Sequence, residues 1–344
     1  MAASDELGDG DPERIGDYRL TALLGEGGQG VVYRGIAPDD TPVAVKLAQT
    51  RIERDPDVQR LFLKEVEAAR RVAPFCTARV LDVGVHRDRP YIVSEYIPGL
   101  SLHDLVRQEG PRSPGGLERL AIATLTALNA IHGAGVVHRD FKPSNVIMGP
   151  EGPVVIDFGI ARALDRATTR SGLMGTPSYM APEQFNGDPA SPASDVFAWA
   201  ATMVYAATGR QAFHGETLPA VMNAIMNGSP DLTGVPERLG LAACLAKNPA
   251  DRPSVAGLVA ALSLATPPVR TAPATRVLEA PPGSVHEAAT RASPAPADEP
   301  GDLAPGAVMS TLQIFGVIAL VVLILGAIIG GLFLIAELVD PPSM

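Results

Sequence analysis

The sequence predicts an α+β fold in which strands gather near the N-terminus and helices follow, with a tether and an apolar segment at the C-terminal end. Three observations carry this. Tyr18-Arg19-Leu20-Thr21-Ala22-Leu23-Leu24 and Val31-Val32-Tyr33-Arg34 read as strands on either side of the loop Gly25-Glu26-Gly27-Gly28-Gln29-Gly30. Between Leu117 and His132, Leu117, Leu120, Ala121, Leu125, Leu128 and Ile131 recur at three- and four-residue steps, the stripe of an amphipathic helix. After Leu264 the composition turns to Pro, Ala, Thr and Glu, and Ile314–Ala336 is then uncharged and almost wholly apolar.

With 344 residues the chain has room for one domain in two parts plus appendages. Lys and Arg number 28 against 38 Asp and Glu, and a net charge of -10 argues against a nucleic-acid partner. Cys76 and Cys244 lie far apart without metal-ligand spacing, as buried thiols of a reducing compartment would. Residues 1–14 are polar and acidic with no basic or apolar run, so they are expected to form a disordered leader and not a signal peptide.

The first strand opens the small part. A Gly-x-Gly-x-x-Gly loop also occurs in dinucleotide-binding folds, but there a helix follows. Here a strand follows, which suits a flap whose glycines let backbone N–H groups approach phosphate oxygens. Val43-Ala44-Val45-Lys46 is the third strand, ending in a lysine. Val58–Val72 has helical periodicity through Leu61, Phe62, Val66 and Ala69, with Glu65 and Glu67 on different faces. Tyr91-Ile92-Val93-Ser94-Glu95-Tyr96-Ile97-Pro98-Gly99 is an apolar strand ending in a turn.

The long helix leads into His138-Arg139-Asp140-Phe141-Lys142-Pro143-Ser144-Asn145. Phosphoryl transfer to a hydroxyl needs a proton acceptor, a cation near the transferred group and oxygen ligands for Mg²⁺. Asp140, Lys142 and Asn145 supply one of each, and Asp157 follows the short strand Val154-Val155-Ile156 in Asp157-Phe158-Gly159. Asp-x-Lys alone is commonly a surface ion pair, and Asp-Phe-Gly alone a turn. Their order and spacing together give the reading its weight.

In that order and spacing the motifs resemble those of protein kinases, over about residues 15–265, and in particular bacterial eukaryotic-like (Hanks-type) Ser/Thr kinases. The resemblance implies the two-lobed kinase fold, with a small β-rich lobe over 15–97 and a large helical lobe over 98–265. It implies ATP held by Gly25, Glu26, Gly27, Gly28, Gln29, Gly30, Val32, Ala44, Lys46, Glu95, Ile97 and Ile147. Asp140 and Lys142 become the catalytic pair, Lys46 a phosphate ligand held by Glu65, and Asn145 and Asp157 the ligands of Mg²⁺ or Mn²⁺. Ser94 takes the place of a small gatekeeper. Thr176 and Ala181-Pro182-Glu183 close the activation segment, where Thr168, Thr169 and Ser171 are the expected phosphosites and Arg139 the receptor for their phosphate. Asp195 is expected to tie down the catalytic loop and Arg252 to pair with Glu183. Phe141 stands where Leu is frequent in the family, and Gln29 where an aromatic is common.

Residues 266–311 read as a Pro- and Ala-rich tether, spanning on the order of 35–40 Å as a coil. The apolar run within 312–336 exceeds the ~20 residues a membrane helix needs and has no polar face. It predicts a single-pass protein in the cell membrane with the kinase domain cytoplasmic and residues 337–344 outside, without an extracellular sensor domain. Flanking basic residues give no orientation, the nearest being Arg291. Gly326 and Gly330 could bring two such helices together in a homodimer. Protein substrates and a lipid bilayer are thus the expected partners. An inactive kinase-like scaffold and a small-molecule phosphotransferase are the rival readings. The first is opposed by the complete set of reactive residues, the second by Ala-Pro-Glu, Asp195 and Arg252.

Overall fold

The computed structural model describes residues 6–8, 10–28, 30–49, 64–73, 75–158 and 177–265, all within one compact unit. Gln29, Thr168, Thr169, Ser171, Gly159, Thr176, the helical positions 58–63, the tether and the apolar segment lie outside the described residues.

Strands β1 (Arg14–Ile15), β2 (Tyr18–Gly27), β3 (Gly30–Ile36), β4 (Pro42–Ala48), β5 (Val80–His86) and β6 (Arg89–Glu95) form one antiparallel sheet in the order β1-β2-β3-β4-β6-β5. The pleat sorts its residues. Tyr33, Val43, Val45 and Leu47 are buried on one face with Ile15, Leu20, Tyr91 and Val93, while Val32, Ala44 and Lys46 are half-buried on the other, toward the cleft. In register Val32 stands opposite Lys46. β5 was not anticipated: its large apolar side chains Leu81 and Val85 point outward, and a register shift follows Val80, so no inward alternation marks it. Its hairpin to β6 turns at Arg87 and Asp88, whose φ values of 50° and 64° suit a two-residue turn that follows the strand twist.

The sheet is strongly curled. The Tyr18 hydroxyl donates to Asp82 on β5 at 3.1 Å, and a Cβ on Gly16 or Gly84 would collide with the Tyr91 hydroxyl. Part of the presumed leader is ordered against this lobe, since Leu7 packs on its core and Asp11 accepts from the Tyr33 hydroxyl at 2.8 Å.

The helix running through residues 64–70 (α1) buries Val66 and Ala69 in the larger core, together with Phe141 and Phe158. The large lobe follows as α2 (Leu102–Glu109), α3 (Pro114–Gly133), a small sheet of β7 (Leu100–Ser101), β8 (Val146–Gly149) and β9 (Gly152–Val155), then α4 (Pro182–Phe185), α5 (Pro192–Thr208), α6 (Leu218–Asn227), α7 (Leu241–Cys244) and α8 (Val255–Ala265). Caps set the main helices. Ser113 accepts from Gly116 N ahead of Pro114, and Ser191 accepts from Ser194 N ahead of Pro192. Gly209 ends α5 in the left-handed conformation at φ 71°.

α5 is buried along almost its whole length, so it forms the axis of the lobe. Trp199 at its middle is fully buried, and its Nε1–H donates to Thr124 Oγ1 on α3 at 3.0 Å. Burial of an indole on that scale is worth about 3–5 kcal/mol against truncation to Ala. Cys76 and Cys244 are both buried free thiols, and burial pushes the Cys244 thiol up to about 12.

Candidate active site

The catalytic loop follows α3 and is fixed from below by α5. Asp195, 1% exposed, accepts at Oδ2 from His138 N at 2.7 Å and at Oδ1 from Arg139 N at 2.9 Å. His132, in the last turn of α3, meets the same carboxylate at 2.8 Å. Arg139 holds φ 66°, a left-handed conformation costly for a residue with a Cβ, and the buried carboxylate below it offsets that strain. His138 is fully buried against Phe141, and burial drives its imidazole well below the usual value.

Above this base the reactive groups converge. Lys142 Nζ lies 2.8 Å from Asp140 Oδ2. Asn145 Nδ2 donates to the Asp140 carbonyl at 2.8 Å, which turns the amide so that its oxygen is left as the group able to face a cation. Ile156 N donates to the Asn145 carbonyl at 3.0 Å, joining the catalytic loop to the chain just before Asp157. Asp157 has φ 59°, and its Oδ2 meets Lys46 Nζ at 3.1 Å across the cleft. β9 is tied to the loop after α1 by Val155 N to Cys76 O at 2.8 Å and Ala78 N to Val155 O at 3.0 Å. Asp157 is thus placed by both lobes.

One expected pairing is arranged differently. Glu65 was expected to hold Lys46. In the structure Glu65 Oε2 accepts from Arg139 NH1 at 2.9 Å, while Lys46 is held by Asp157. The physical reason is competition: two cations and two carboxylates meet at the cleft, and a guanidinium on a fixed loop reaches Glu65 from below.

The described residues among the expected ATP ligands lie on the sheet of the small lobe, on the turn after β6 and on β8. A Cβ at Gly25, Gly27 or Gly28 would meet no atom of the described residues within 4 Å, which leaves the bare backbone there able to approach a phosphate. Gly30 is different: at φ 138° its Cβ would strike the Leu47 carbonyl, so strand pairing requires it. Val32, Ala44 and Lys46 share the cleft-facing side of the sheet, and Ala44 pairs with Ser94 beside Glu95. Ile97 lies against Gly149, and Ile147 is half-buried on β8. For a divalent cation the donor set is the Asp157 carboxylate and the Asn145 amide oxygen, hard ligands of the kind Mg²⁺ and Mn²⁺ take. Among the described residues no cluster of three or more His, Cys, Asp or Glu could hold a metal, so the rest of its shell would be phosphate and water.

The end of the activation segment is locked below the cleft. Arg252, with its side chain fully buried, spans both Glu183 oxygens at 2.7 and 2.8 Å and donates to the Ala193, Ala246 and Lys247 carbonyls. Ser194 Oγ adds a bond to Glu183 at 2.7 Å. Burial would raise this carboxyl, but the Arg252 and Ser194 bonds outweigh it and hold it below the ordinary carboxylate range. Sequence reasoning missed the His132 contact and the Asp11–Tyr33 bond. Spacing alone could have found His132, which shares the C-terminal end of an amphipathic helix with the loop it steadies.

A β-rich lobe with a glycine flap, set over a helical lobe that presents Asp140, Lys142 and Asn145, defines the two-lobed class of phosphotransferase folds. The chain belongs to the protein kinase domain family, whose model matches residues 18–262. It is 43% identical over 263 residues to the probable serine/threonine-protein kinase PkwA of Thermomonospora curvata, covering 75% of this chain and 35% of that protein. It is 39% identical over 264 residues to the serine/threonine-protein kinase AfsK of Streptomyces coelicolor, covering 75% and 33%. The chain therefore spans about a third of the length of these curated relatives. The crystal structure of Rad53 1-466 in complex with AMP-PNP shares the fold, with a TM-score of 0.61 at 23% identity over 71% of this chain and 64% of that one.

Proposed function

We propose that this chain is a serine/threonine protein kinase that moves the γ-phosphate of ATP onto Ser or Thr hydroxyls of proteins, acting in bacterial signal transduction. The observation that carries this is Asp140 beside Lys142 at 2.8 Å and bonded through its carbonyl to Asn145, with Asp157 of the same lobe paired to Lys46 across the cleft. The names of the bacterial relatives support the Ser/Thr class.

Asp140 orients the acceptor hydroxyl and takes its proton as the hydroxyl oxygen bonds to the γ-phosphorus and the bond to the β–γ bridging oxygen breaks, releasing ADP. Lys142 and Lys46 balance charge on the phosphate oxygens, and the Gly25–Gly30 flap covers them. Asn145 and Asp157 would hold the divalent cation, which neutralises charge developing on the phosphates.

Autophosphorylation at Thr168, Thr169 or Ser171 is part of this reading. A phosphate there adds about -1.5 to -2 charge, enough to compete with Glu65 for Arg139. Glu65 would then be released toward Lys46, and Lys46 positioned for phosphate. The Arg139–Glu65 contact at 2.9 Å supports this sequence of exchanges.

The reading also includes anchoring by residues 312–336 in the cytoplasmic membrane, with the kinase domain on the ATP side and dimerisation through Gly326 and Gly330. Hydropathy of that stretch supports it. Among the described residues no helix is long and apolar enough to cross a membrane.

The test is incorporation of labelled phosphate from ATP and Mg²⁺ by the full chain, beside Lys46→Met and Asp140→Asn. Label on Ser or Thr in the wild type alone is expected. Nucleotide binding without label in any protein acceptor would favour a scaffold, and label in small acceptors alone a small-molecule phosphotransferase.

A further inference from the structure

The segment ahead of β2 is too well tied to be a passive leader. Gly8 N donates to Asp11 Oδ2 at 2.9 Å and Asp11 N donates to the Gly8 carbonyl at 3.0 Å, closing a compact turn. Leu20 N donates to the Glu13 carbonyl at 2.9 Å, and Ile15 is fully buried among Leu20, Tyr33, Val43, Val45, Leu47, Tyr91 and Val93. Leu7 packs on the same cluster from outside. The Tyr33 hydroxyl, whose ring is 3% exposed in that cluster, donates to Asp11 Oδ1 at 2.8 Å.

The position of Tyr33 gives this bond a consequence at the cleft. β3 alternates, so Tyr33 faces away from the nucleotide side while its neighbour Val32 faces it, opposite Lys46 on β4. Leu23 pairs with Tyr33, and Gly25, Glu26 and Gly27 pair with Val32, Val31 and Gly30 just beyond. The seating of Tyr33 is thus coupled through strand pairing to Val32 and to the base of the flap. Tyr33 is the deepest polar side chain of β3, and its hydroxyl is bonded to Asp11 of the N-terminal segment.

We propose that Asp11 is a positioning residue for the nucleotide: with residues 6–8 and 10–15 it braces β3 through Tyr33 from the face opposite the ATP site. The brace rests on the reading of this chain as an ATP-using kinase. It acts through Val32 and the Gly25–Gly30 flap and touches no substrate. Burial, followed by the bond to Asp11, raises the Tyr33 hydroxyl to about 12, so the phenol stays a donor at every pH at which the protein would work.

The test uses the full chain and reads ATP affinity by calorimetry, with the ATP KM and kcat of phosphate incorporation beside it. Asp11→Ala and Tyr33→Phe are each expected to weaken ATP binding about three- to tenfold, with kcat within about twofold of the wild type. Their combination is expected to be no worse than either alone, because both remove one bond. Asp11→Asn keeps an acceptor for the hydroxyl and is expected to stay near wild-type affinity. Urea unfolding of each variant guards against loss of fold. ATP binding by a folded Asp11→Ala at unchanged affinity overturns the brace and leaves the kinase reading intact. A fall in kcat in proportion to the unfolded fraction, with KM unchanged, overturns it in favour of a merely structural role. No ATP binding by the wild type overturns the kinase reading and the brace with it.

Discussion

The two halves of the cleft are held by different kinds of contact. Beneath it, Asp195 and Glu183 are nearly inaccessible, and each answers several donors fixed on the same lobe: His138 N, Arg139 N and His132 for one, Arg252 and Ser194 for the other. Across it, the Lys46–Asp157 and Arg139–Glu65 pairs have side chains between 12 and 27% exposed and join elements from different lobes. Buried, multiply bonded carboxylates have one good arrangement. Partly exposed pairs of two cations and two carboxylates carried on separate elements can exchange partners without leaving a charge unpaired. The lower half can therefore present Asp140 in a constant place while the pairs of the upper half exchange, as the proposed phosphorylation requires.

The largest effect that would sharpen this contrast is on the lower half. Arg252→Ala leaves the Glu183 carboxylate buried without its partner and is expected to cost about 3–5 kcal/mol in urea unfolding. Asp195→Asn keeps the shape but removes the charge beneath the loop. A fall of roughly 10²-fold in kcat, with less change in ATP affinity, is the expected result if Asp140 shifts by as little as ~1 Å. In the small lobe, Gly84→Val drives a side chain into Tyr91 and is expected to destabilise by about 1–3 kcal/mol.

Smaller shifts should follow pH. The unfolded chain takes up a proton on His138 near pH 6.5, whereas the buried imidazole resists it, so the unfolded state binds more protons as pH falls below that value. Stability from this group is thus full above pH 6.5 and declines with acidification, by at most about 1.4 kcal/mol per pH unit. Glu183 contributes in the same direction lower down. Its depressed carboxyl stabilises the fold above the usual range near ~4.3, and that contribution is lost as pH falls through its folded value. Thermal melts from pH 7.5 to 4 would read both, and His138→Gln should flatten the upper limb. Arg139→Gln should change stability least, by about 1 kcal/mol or less, yet remove any activation by phosphate in 168–171.

The same contrast explains what was legible in the sequence. Elements with a clear period or a fixed spacing are legible in the sequence: β2, β3 and β4 around the glycines, the α3 stripe, and the loop with Asp140, Lys142 and Asn145. Contacts within the lower half follow from buried carboxylates whose donors are all fixed on one lobe, as with Asp195. β5 was illegible because Leu81 and Val85 face outward, and the docking of residues 6–8 and 10–15 because their polar composition conceals a turn closed by Asp11. The partner of Glu65 was illegible for another reason: sequence names the charges but not which of several near-equal pairings the fold adopts.

Hydrogen exchange tests the central contrast most directly, comparing phosphatase-treated full chain with the same chain after incubation with ATP and Mg²⁺. The account predicts that the peptide bearing the His138 and Arg139 amides stays equally protected in both, while exchange across residues 64–70 changes as Glu65 trades partners. Equal change in the two regions, or change in the catalytic-loop peptide alone, would contradict it.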